Sequence, residues 1–232
     1  MARKVKIPNE IKKRHSRNLA LRAIDTRSER KYFLIVCEGE KTEPNYFISL
    51  KDNLPKGVLN VAEIRIHGTG YNTASLLKRS LEIKKEWQET SGINIDKLWL
   101  VMDKDSFEPA TFNSTITKCL AKNPEMDCAW SNEAFELWYL LHFNYYNTAM
   151  SRQQYKTHIE QNFRRQGLDE YSYQKNSTEM YRLLQHYGST TDAIRNAERL
   201  ANNFAGQQDY ANHNPCTMVY KLVKELIELE GK

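Results

Sequence analysis

Residues 32–47 are YFLIVCEGEKTEPNYF, and the rest of the fold can be built outward from them. The run Phe33–Cys37 is apolar and rich in β-branched residues, which predicts a strand buried on both faces, as in a parallel sheet. Thr42 and Pro44 are typical of the N-cap and the first turn of a helix. Glu38 is therefore expected at the carboxyl end of a buried strand, the edge of an open α/β sheet where ligands bind.

The segment Leu98–Asp105, LWLVMDKD, repeats this layout further along the chain. Its apolar run predicts another buried strand, and Asp103 and Asp105 follow that strand directly. Because right-handed crossovers bring the ends of parallel strands to one edge, we expect Glu38 to lie close to the two aspartates. Carboxylates gathered in this way typically bind a divalent metal ion.

Strand and helix patterns alternate through the first 150 residues, which predicts an α/β fold with a mainly parallel four-stranded sheet flanked by helices. The predicted strands cover 32–37, 58–66, 97–102 and 126–130. The first predicted helix starts at Thr42, and three further helices are predicted over 74–89, 112–120 and 133–143. Beyond residue 150 the pattern is helical, at 151–164, 178–187, 191–204 and 216–229, the last with Asn214 as N-cap and Pro215 at its first position. We expect a basic arm over 1–31, an α/β domain over 32–148 and a helical C-terminal lobe over 149–232 packed on it.

Composition indicates a soluble globular protein, since 40% of the 232 residues are hydrophobic and 27% are charged. No apolar run approaches the roughly 20 residues that cross a bilayer, so no membrane partner is expected. The four cysteines are scattered and form no C-x-x-C pair. Without a secretory signal, this pattern predicts a cytoplasmic protein that has neither a disulfide nor a zinc site.

The positive charge is concentrated at the N-terminus. Residues 1–31 contain 11 Lys and Arg against three acidic residues, a net charge of +8, whereas the remaining residues carry −3. Such an arm is suited to contacting the phosphate backbone of a nucleic acid. A solvated tail with no partner is the alternative.

The acidic strand ends predict chemistry that depends on Mg²⁺, with Mn²⁺ as a substitute. A D-x-D pair can direct two carboxylates to one side of a turn, and Glu38 from the neighbouring strand can complete the site. A cation held there can activate a water molecule and shield the charge of a phosphoryl oxygen. The alternative is that Asp103 and Asp105 form an ordinary acidic turn.

The Glu-Gly after the first strand and the Asp-x-Asp after the third resemble the Toprim domain of topoisomerases, bacterial primases and OLD-type nucleases. Three longer motifs, CEGEKTEPNYF at 37–47, SNEAFELWYLLHF at 131–143 and NPCTMVYKLVKEL at 214–226, resemble the RloB family of Toprim-like proteins. This resemblance spans about residues 27–229. It implies a metal-dependent nuclease of bacterial antiviral defence that acts on DNA or RNA, with an ABC-type ATPase as a partner protein.

The resemblance also implies roles for individual residues. Glu38 corresponds to the Toprim glutamate, which serves as acid or base and as metal ligand, and Asp103 and Asp105 correspond to the metal-binding, catalytic pair. Glu43 lies in a Thr-Glu similar to the E-G-x-T-E element of OLD-type nucleases, but one extra residue separates the two acids. Glu43 is therefore either a metal ligand or an acid that favours a helix N-terminus.

Two further residues are candidates for catalysis. Glu136 is a carboxylate in an otherwise apolar helix, where burial is costly unless the group is paired, so a position facing the site is expected. Lys175 matches a Tyr-x-Lys element of the family and could offset the charge of a scissile phosphate. A solvated loop lysine is the alternative for Lys175.

Two other functions remain open from the sequence. The segment LWLVMDKDSF at 98–107 matches locally the nucleophile strand of haloacid-dehalogenase-type phosphatases, with Asp103 as nucleophile. That family normally opens with this strand, whereas here it is the third. The other alternative is a non-catalytic subunit that binds a nucleic acid or an ATPase and holds a structural metal.

Overall fold

The computed structural model describes residues 30–56, 58, 62–70, 73–105 and 107–229. The chain divides into Met1–Arg30 and a compact unit, Lys31–Lys232. The predicted basic arm therefore lies outside the described residues, apart from its last two positions.

A five-stranded sheet organises the compact unit. Its strands are β1 (Lys31–Cys37), β2 (Ala62–Gly68), β3 (Lys97–Asp103), β4 (Met126–Asn132) and β5 (Cys216–Thr217). Their spatial order is β2-β1-β3-β4-β5. The first four strands pair in parallel, and β5 runs antiparallel to β4. The predicted α/β class is confirmed, and β1 and β3 lie side by side in the middle of the sheet.

Helices cover the sheet and form the rest of the unit. They are α1 (Thr42–Asp52), α2 (Thr73–Ser91), α3 (Pro109–Leu120), α4 (Glu136–Leu141), α5 (Arg152–Arg165), α6 (Met180–Tyr187), α7 (Thr190–Asn202) and α8 (Val219–Glu228), with a short 3₁₀ helix at Tyr210–Asn212. Within the part of the chain that the structure describes, none of these helices has the length and apolar character needed to span a membrane.

The central strands are buried on both faces, as the continuous apolar runs predict. In β1, Phe33 and Ile35 point into one core, and Leu34 and Val36 point into the other. The first core also contains side chains of α1 and of the helices α4 to α8, whereas the second contains side chains of α2 and α3. The sheet is thus the middle of three layers.

The prediction of a four-stranded sheet is wrong by one strand. Cys216 and Thr217 pair with Asn132 and Ser131, and the hydroxyl groups of Ser131 and Thr217 lie 2.9 Å apart. The predicted helix over 216–229 therefore begins only at Val219, because the residues after Pro215 extend the sheet instead. The apolar spacing of α8 carries no sign of this short strand.

Several helix starts also differ from the predictions. The helix predicted over 133–143 is limited to Glu136–Leu141. The predicted cap at Thr42 is wrong, because Lys41 holds the N-cap position without a side-chain hydrogen bond. The Thr42 hydroxyl instead donates to the carbonyl of Lys175 at 3.0 Å, so a distant partner has replaced the local one.

Candidate active site

The ends of β1 and β3 bring the first two acidic residues together. The backbone N–H of Glu38 donates to the carbonyl of Val101 at 2.9 Å, which continues the pairing of the two strands by one residue. The Glu38 carboxylate in turn accepts a hydrogen bond from the backbone N–H of Asp103 at 3.1 Å. Glu38 is therefore held against the end of β3. This agrees with the expectation that neighbouring parallel strands end at the same edge of the sheet.

The D-x-D turn after β3 is held by contacts on both sides. The backbone N–H groups of Lys104 and Asp105 donate to the carbonyls of Ser131 and Glu133, at 2.8 and 3.0 Å. The Lys104 ammonium donates to the Phe107 carbonyl at 2.6 Å. Asp105 has a φ of +36°, in the left-handed region that non-glycine residues seldom adopt. Such strain persists only where the surroundings enforce it, and it is common at functional sites.

One cavity of about 440 Å³ lies at this edge of the sheet. All six residues singled out from the sequence line it: Glu38, Glu43, Asp103, Asp105, Glu136 and Lys175. They come from the loop after β1, helix α1, the turn after β3, helix α4 and the loop before α6. The structure thus brings together side chains that lie up to 137 positions apart in the sequence.

Three carboxyl groups of the cavity, those of Glu38, Glu43 and Asp103, have raised pKa values. Burial raises the pKa of Glu38 to about 7, although the hydrogen bond from Asp103 acts in the opposite direction. Burial, together with the charges of Glu43 and Glu136, raises the pKa of Asp103 well above its usual value. The pKa of Glu43 is raised by burial and by the charge of Glu136. A cation bound among these groups would relieve their mutual repulsion.

Gly39 explains why the first motif is Glu-Gly. A Cβ atom at this position would overlap the carboxylate of Glu43, which packs directly against the glycine backbone. Glu43 is buried at the start of α1 rather than solvated, and its carboxylate is directed towards the loop after β1. The structure therefore places Glu43 at the cavity, the location that a metal ligand requires.

Glu136 is buried and accepts a hydrogen bond from the Tyr173 hydroxyl at 2.9 Å. This bond supplies the partner that a carboxylate in an apolar helix needs. Tyr173 lies two residues before Lys175, in a segment that contains neither helix nor strand. Within the Tyr-x-Lys element, Tyr173 thus holds Glu136, and Lys175 lies at the cavity wall.

Arg152 is the site residue that the sequence did not reveal. Its guanidinium lies 3.1 Å from Asp105 and 3.5 Å from Asp103, and it lines the cavity. Nothing in the local sequence separates this arginine from the other basic residues of α5. Only the fold shows that the N-terminus of α5 faces the turn after β3. Tyr173 was missed as a separate contributor for the same reason.

The described residues contain no group of three or more His, Cys, Asp or Glu side chains arranged to hold a metal ion. Mg²⁺ nevertheless needs few protein carboxylates, because it keeps several of its waters. Asp103 meets this requirement, since one of its carboxylate oxygens is buried without a hydrogen-bond partner among the described residues. The carboxylates of Asp105 and Glu38 lie beside it, and carboxylate oxygen is the ligand type that a hard divalent cation prefers.

Comparison with protein families yields one match over most of the chain. A family model described as RloB-like protein matches residues 33–226, which include β1 through most of α8. No curated protein and no solved structure matches the chain.

Proposed function

This chain belongs to the RloB-like protein family, and we propose that it is a metal-dependent nuclease that hydrolyses phosphodiester bonds of DNA or RNA. The observation that carries the proposal is the convergence of six carboxylates, an arginine and two lysines on one cavity at the strand ends. Acids that bind a divalent cation beside basic groups that bind phosphate are the usual components of phosphoryl-transfer sites.

Each residue has a role in the proposed reaction. Asp103 and Asp105, with Glu38 beside them, would hold Mg²⁺ or Mn²⁺, and the bound cation would activate water and neutralise phosphate charge. A pKa of about 7 suits Glu38 to exchange a proton near neutral pH. Lys175 provides a positive charge at the cavity wall for the phosphate. Glu43 lies where it can complete the acidic set, and Glu136 is held in place by Tyr173.

The proposal is tested by incubating the purified protein with plasmid DNA and with total cellular RNA, in Mg²⁺, Mn²⁺ or EDTA. We expect cleavage of one polymer in the presence of metal and none in EDTA. Asp103→Asn should lower the rate by at least about 100-fold, because a principal metal ligand loses its charge. The matched control is Asp192→Asn, which alters a partly exposed acid of α7 that does not line the cavity and should cut at the wild-type rate.

Three outcomes would contradict the nuclease proposal. Cleavage that persists in Asp103→Asn would show that the activity does not use this cavity. Absence of cleavage on either polymer, both alone and with an added ABC-type ATPase partner, would favour a non-catalytic binding subunit. A covalent phosphate trapped on Asp103 would favour the phosphatase. The proposed role in antiviral defence predicts that Asp103→Asn abolishes any protection of cells against phage.

A further inference from the structure

The backbone of Arg152 is fixed at the mouth of the cavity. It is the first residue of α5, and Ser151 before it forms a capping box with Gln154. The two reciprocal hydrogen bonds of such a box fix the backbone at a helix N-terminus. The Arg152 side chain is 39% exposed, so it lies between the buried acids and the solvent. A ligand that enters from solvent would therefore contact this guanidinium.

The guanidinium uses one end to contact both members of the D-x-D pair. Its Nη2 lies 3.1 Å from Oδ2 of Asp105 and 3.5 Å from Oδ2 of Asp103. These are carboxylate oxygens that a metal ion at the same pair would need. Arg152 and a divalent cation therefore compete for Asp103 and Asp105, since both interact by positive charge with the same carboxylates.

Two buried polar atoms of this group are without a hydrogen-bond partner among the described residues: Nε of Arg152 and Oδ1 of Asp103. The first is a donor and the second is an acceptor. Burying such atoms unpaired is costly, so a ligand that paired with them would be stabilised. A cation would satisfy Asp103, and an anionic oxygen would satisfy Arg152. A phosphate group bound together with a metal ion supplies both.

We propose that Arg152 exchanges partners during substrate binding. In the metal-free protein its guanidinium pairs with Asp103 and Asp105. When a divalent cation takes over these two carboxylates, the guanidinium is released to bind a phosphate oxygen of the nucleic acid. This inference rests on the proposed nuclease function and assigns to Arg152 the recognition of the phosphodiester.

The charge of the cavity should couple the binding of metal to the binding of nucleic acid. Acidic residues outnumber basic residues six to three in its lining, so a bound cation would favour the approach of a polyanion. While Arg152 is engaged by the aspartates, its charge is not available to phosphate. Metal and nucleic acid should therefore bind with positive coupling, each raising the affinity for the other by the same factor.

The decisive variant is Arg152→Gln, examined by two binding measurements that do not require cleavage. The first is calorimetric titration with Mn²⁺ in the absence of nucleic acid. Removal of the competing cation should tighten Mn²⁺ binding about three- to tenfold. The second is fluorescence anisotropy with a short labelled oligonucleotide, as DNA and as RNA, in Ca²⁺. Here the loss of a charge-assisted hydrogen bond should weaken binding about tenfold or more.

The proposed exchange specifically predicts that Arg152→Gln raises the affinity for Mn²⁺ and lowers the affinity for the oligonucleotide. If Arg152 only positioned the aspartates, its removal would weaken Mn²⁺ binding, and that result would overturn the proposal. Unchanged oligonucleotide affinity would overturn it as well. Ca²⁺ should raise the oligonucleotide affinity of the wild type more than that of Arg152→Gln, and an equal gain in both proteins would contradict the coupling.

Two further variants keep the test interpretable. Arg195→Gln alters an exposed arginine of α7 that does not line the cavity, and it should change neither affinity. Arg152→Lys keeps the charge but lacks the planar fork of donors, so oligonucleotide affinity should fall while Mn²⁺ affinity stays within about twofold. The lysine variant is decisive alone if Arg152→Gln does not fold, since wild-type oligonucleotide affinity in it would overturn the proposal. Failure of the wild type to bind Mn²⁺ at all would instead count against the proposed function.

Discussion

Burial changes the chemistry of individual side chains in this protein, and the acids of the cavity are the clearest case. Glu38 has a pKa of about 7 because it is largely removed from water. Asp103 is affected more strongly, since burial and the charges of Glu43 and Glu136 act in the same direction. In the absence of a cation these groups oppose their own ionisation. At the residue scale, the strand ends therefore form a site that favours a bound positive charge.

The effect of burial on a pKa can be tested at His142, which does not line the cavity. Its Nδ1 lies 2.9 Å from the Trp138 carbonyl, and burial lowers its pKa from 6.5 to about 4. As the pH falls, the unfolded chain therefore binds a proton before the folded protein does. The stabilisation from neutral His142 is complete above pH 6.5 and is lost progressively between 6.5 and about 4. The free energy of unfolding should fall by about 3 kcal/mol from this residue alone.

The measurement is urea unfolding across this pH range for the wild type and His142→Asn. The asparagine amide can replace Nδ1 as the donor to Trp138 but does not titrate. Relative to the wild type, the free energy of unfolding of His142→Asn should therefore rise by about 3 kcal/mol as the pH falls from 6.5 to about 4. His186→Gln removes an exposed histidine and should retain the wild-type pH dependence. Parallel curves for wild type and His142→Asn would show that His142 is not the titrating group.

At the scale of elements, helix α1 does more than cover the sheet. Thr42, Asn45 and Ser49 lie on one side of it, at spacings of three and four residues. Their side chains donate to the carbonyls of Lys175, Asn176 and Thr178, at 3.0, 3.0 and 3.1 Å. These three hydrogen bonds attach the segment 175–178 to α1. They thereby hold the backbone of Lys175 at the cavity.

Removing this attachment should affect both stability and activity. Each lost hydrogen bond is expected to lower the free energy of unfolding by about 1 kcal/mol. In Asn45→Ala/Ser49→Ala, amide hydrogen exchange over 175–178 should become faster, and the proposed cleavage rate should fall because Lys175 is less well placed. Hydrogen exchange by mass spectrometry and the cleavage assay check the two effects.

The matched control is Asn53→Ala at the other end of α1. The Asn53 side chain donates to the Ser49 carbonyl at 2.7 Å, a contact within the helix end that does not reach the segment. Its removal should leave exchange over 175–178 unchanged. Equal acceleration in this control would mean that the whole helix had been loosened and that the side-chain attachment is not the cause.

At the scale of the whole molecule, charge is divided unequally along the chain. The N-terminal 31 residues carry +8 and the remainder carries −3, although the proposed substrate is a polyanion. The cavity itself is rich in acids, so another part of the chain must attract a nucleic acid at long range. We propose the basic arm as the source of this attraction, since contacts to phosphate release counterions and increase affinity as salt falls.

Replacing Lys12, Lys13 and Arg14 by alanine should therefore weaken oligonucleotide binding without changing the thermal unfolding temperature. If each of these residues contacts a phosphate of a single strand, the slope of log affinity against log salt should decrease by about 2. Fluorescence anisotropy at several salt concentrations measures this slope.

The corresponding control replaces Lys78, Lys85 and Lys122, three exposed lysines of the compact unit, and changes the net charge equally. A similar loss of affinity in the control would indicate that net charge, rather than the arm, governs binding. An unchanged salt slope in the arm variant would contradict the predicted phosphate contacts.

The sequence predicts some parts of this fold better than others. The parallel core strands were identified because apolar runs such as Phe33–Cys37 are specified locally and are buried on both faces. The position of Glu38 beside Asp103 followed from the rule that parallel strands end at one edge. Strand β5 was missed, because two residues carry no periodicity and pair only where β4 offers a free edge.

The sequence by itself determined the alternation of strands and helices, the acids at the strand ends and the family to which the chain belongs. These depend on local apolar periodicity and on motifs of adjacent residues. Only the tertiary structure decided that Arg152 faces Asp103 and Asp105, that Tyr173 holds Glu136 and that α1 carries Lys175 to the cavity. Such contacts join residues 37 to 133 positions apart. They depend on how helices pack at one edge of the sheet, which no local pattern encodes.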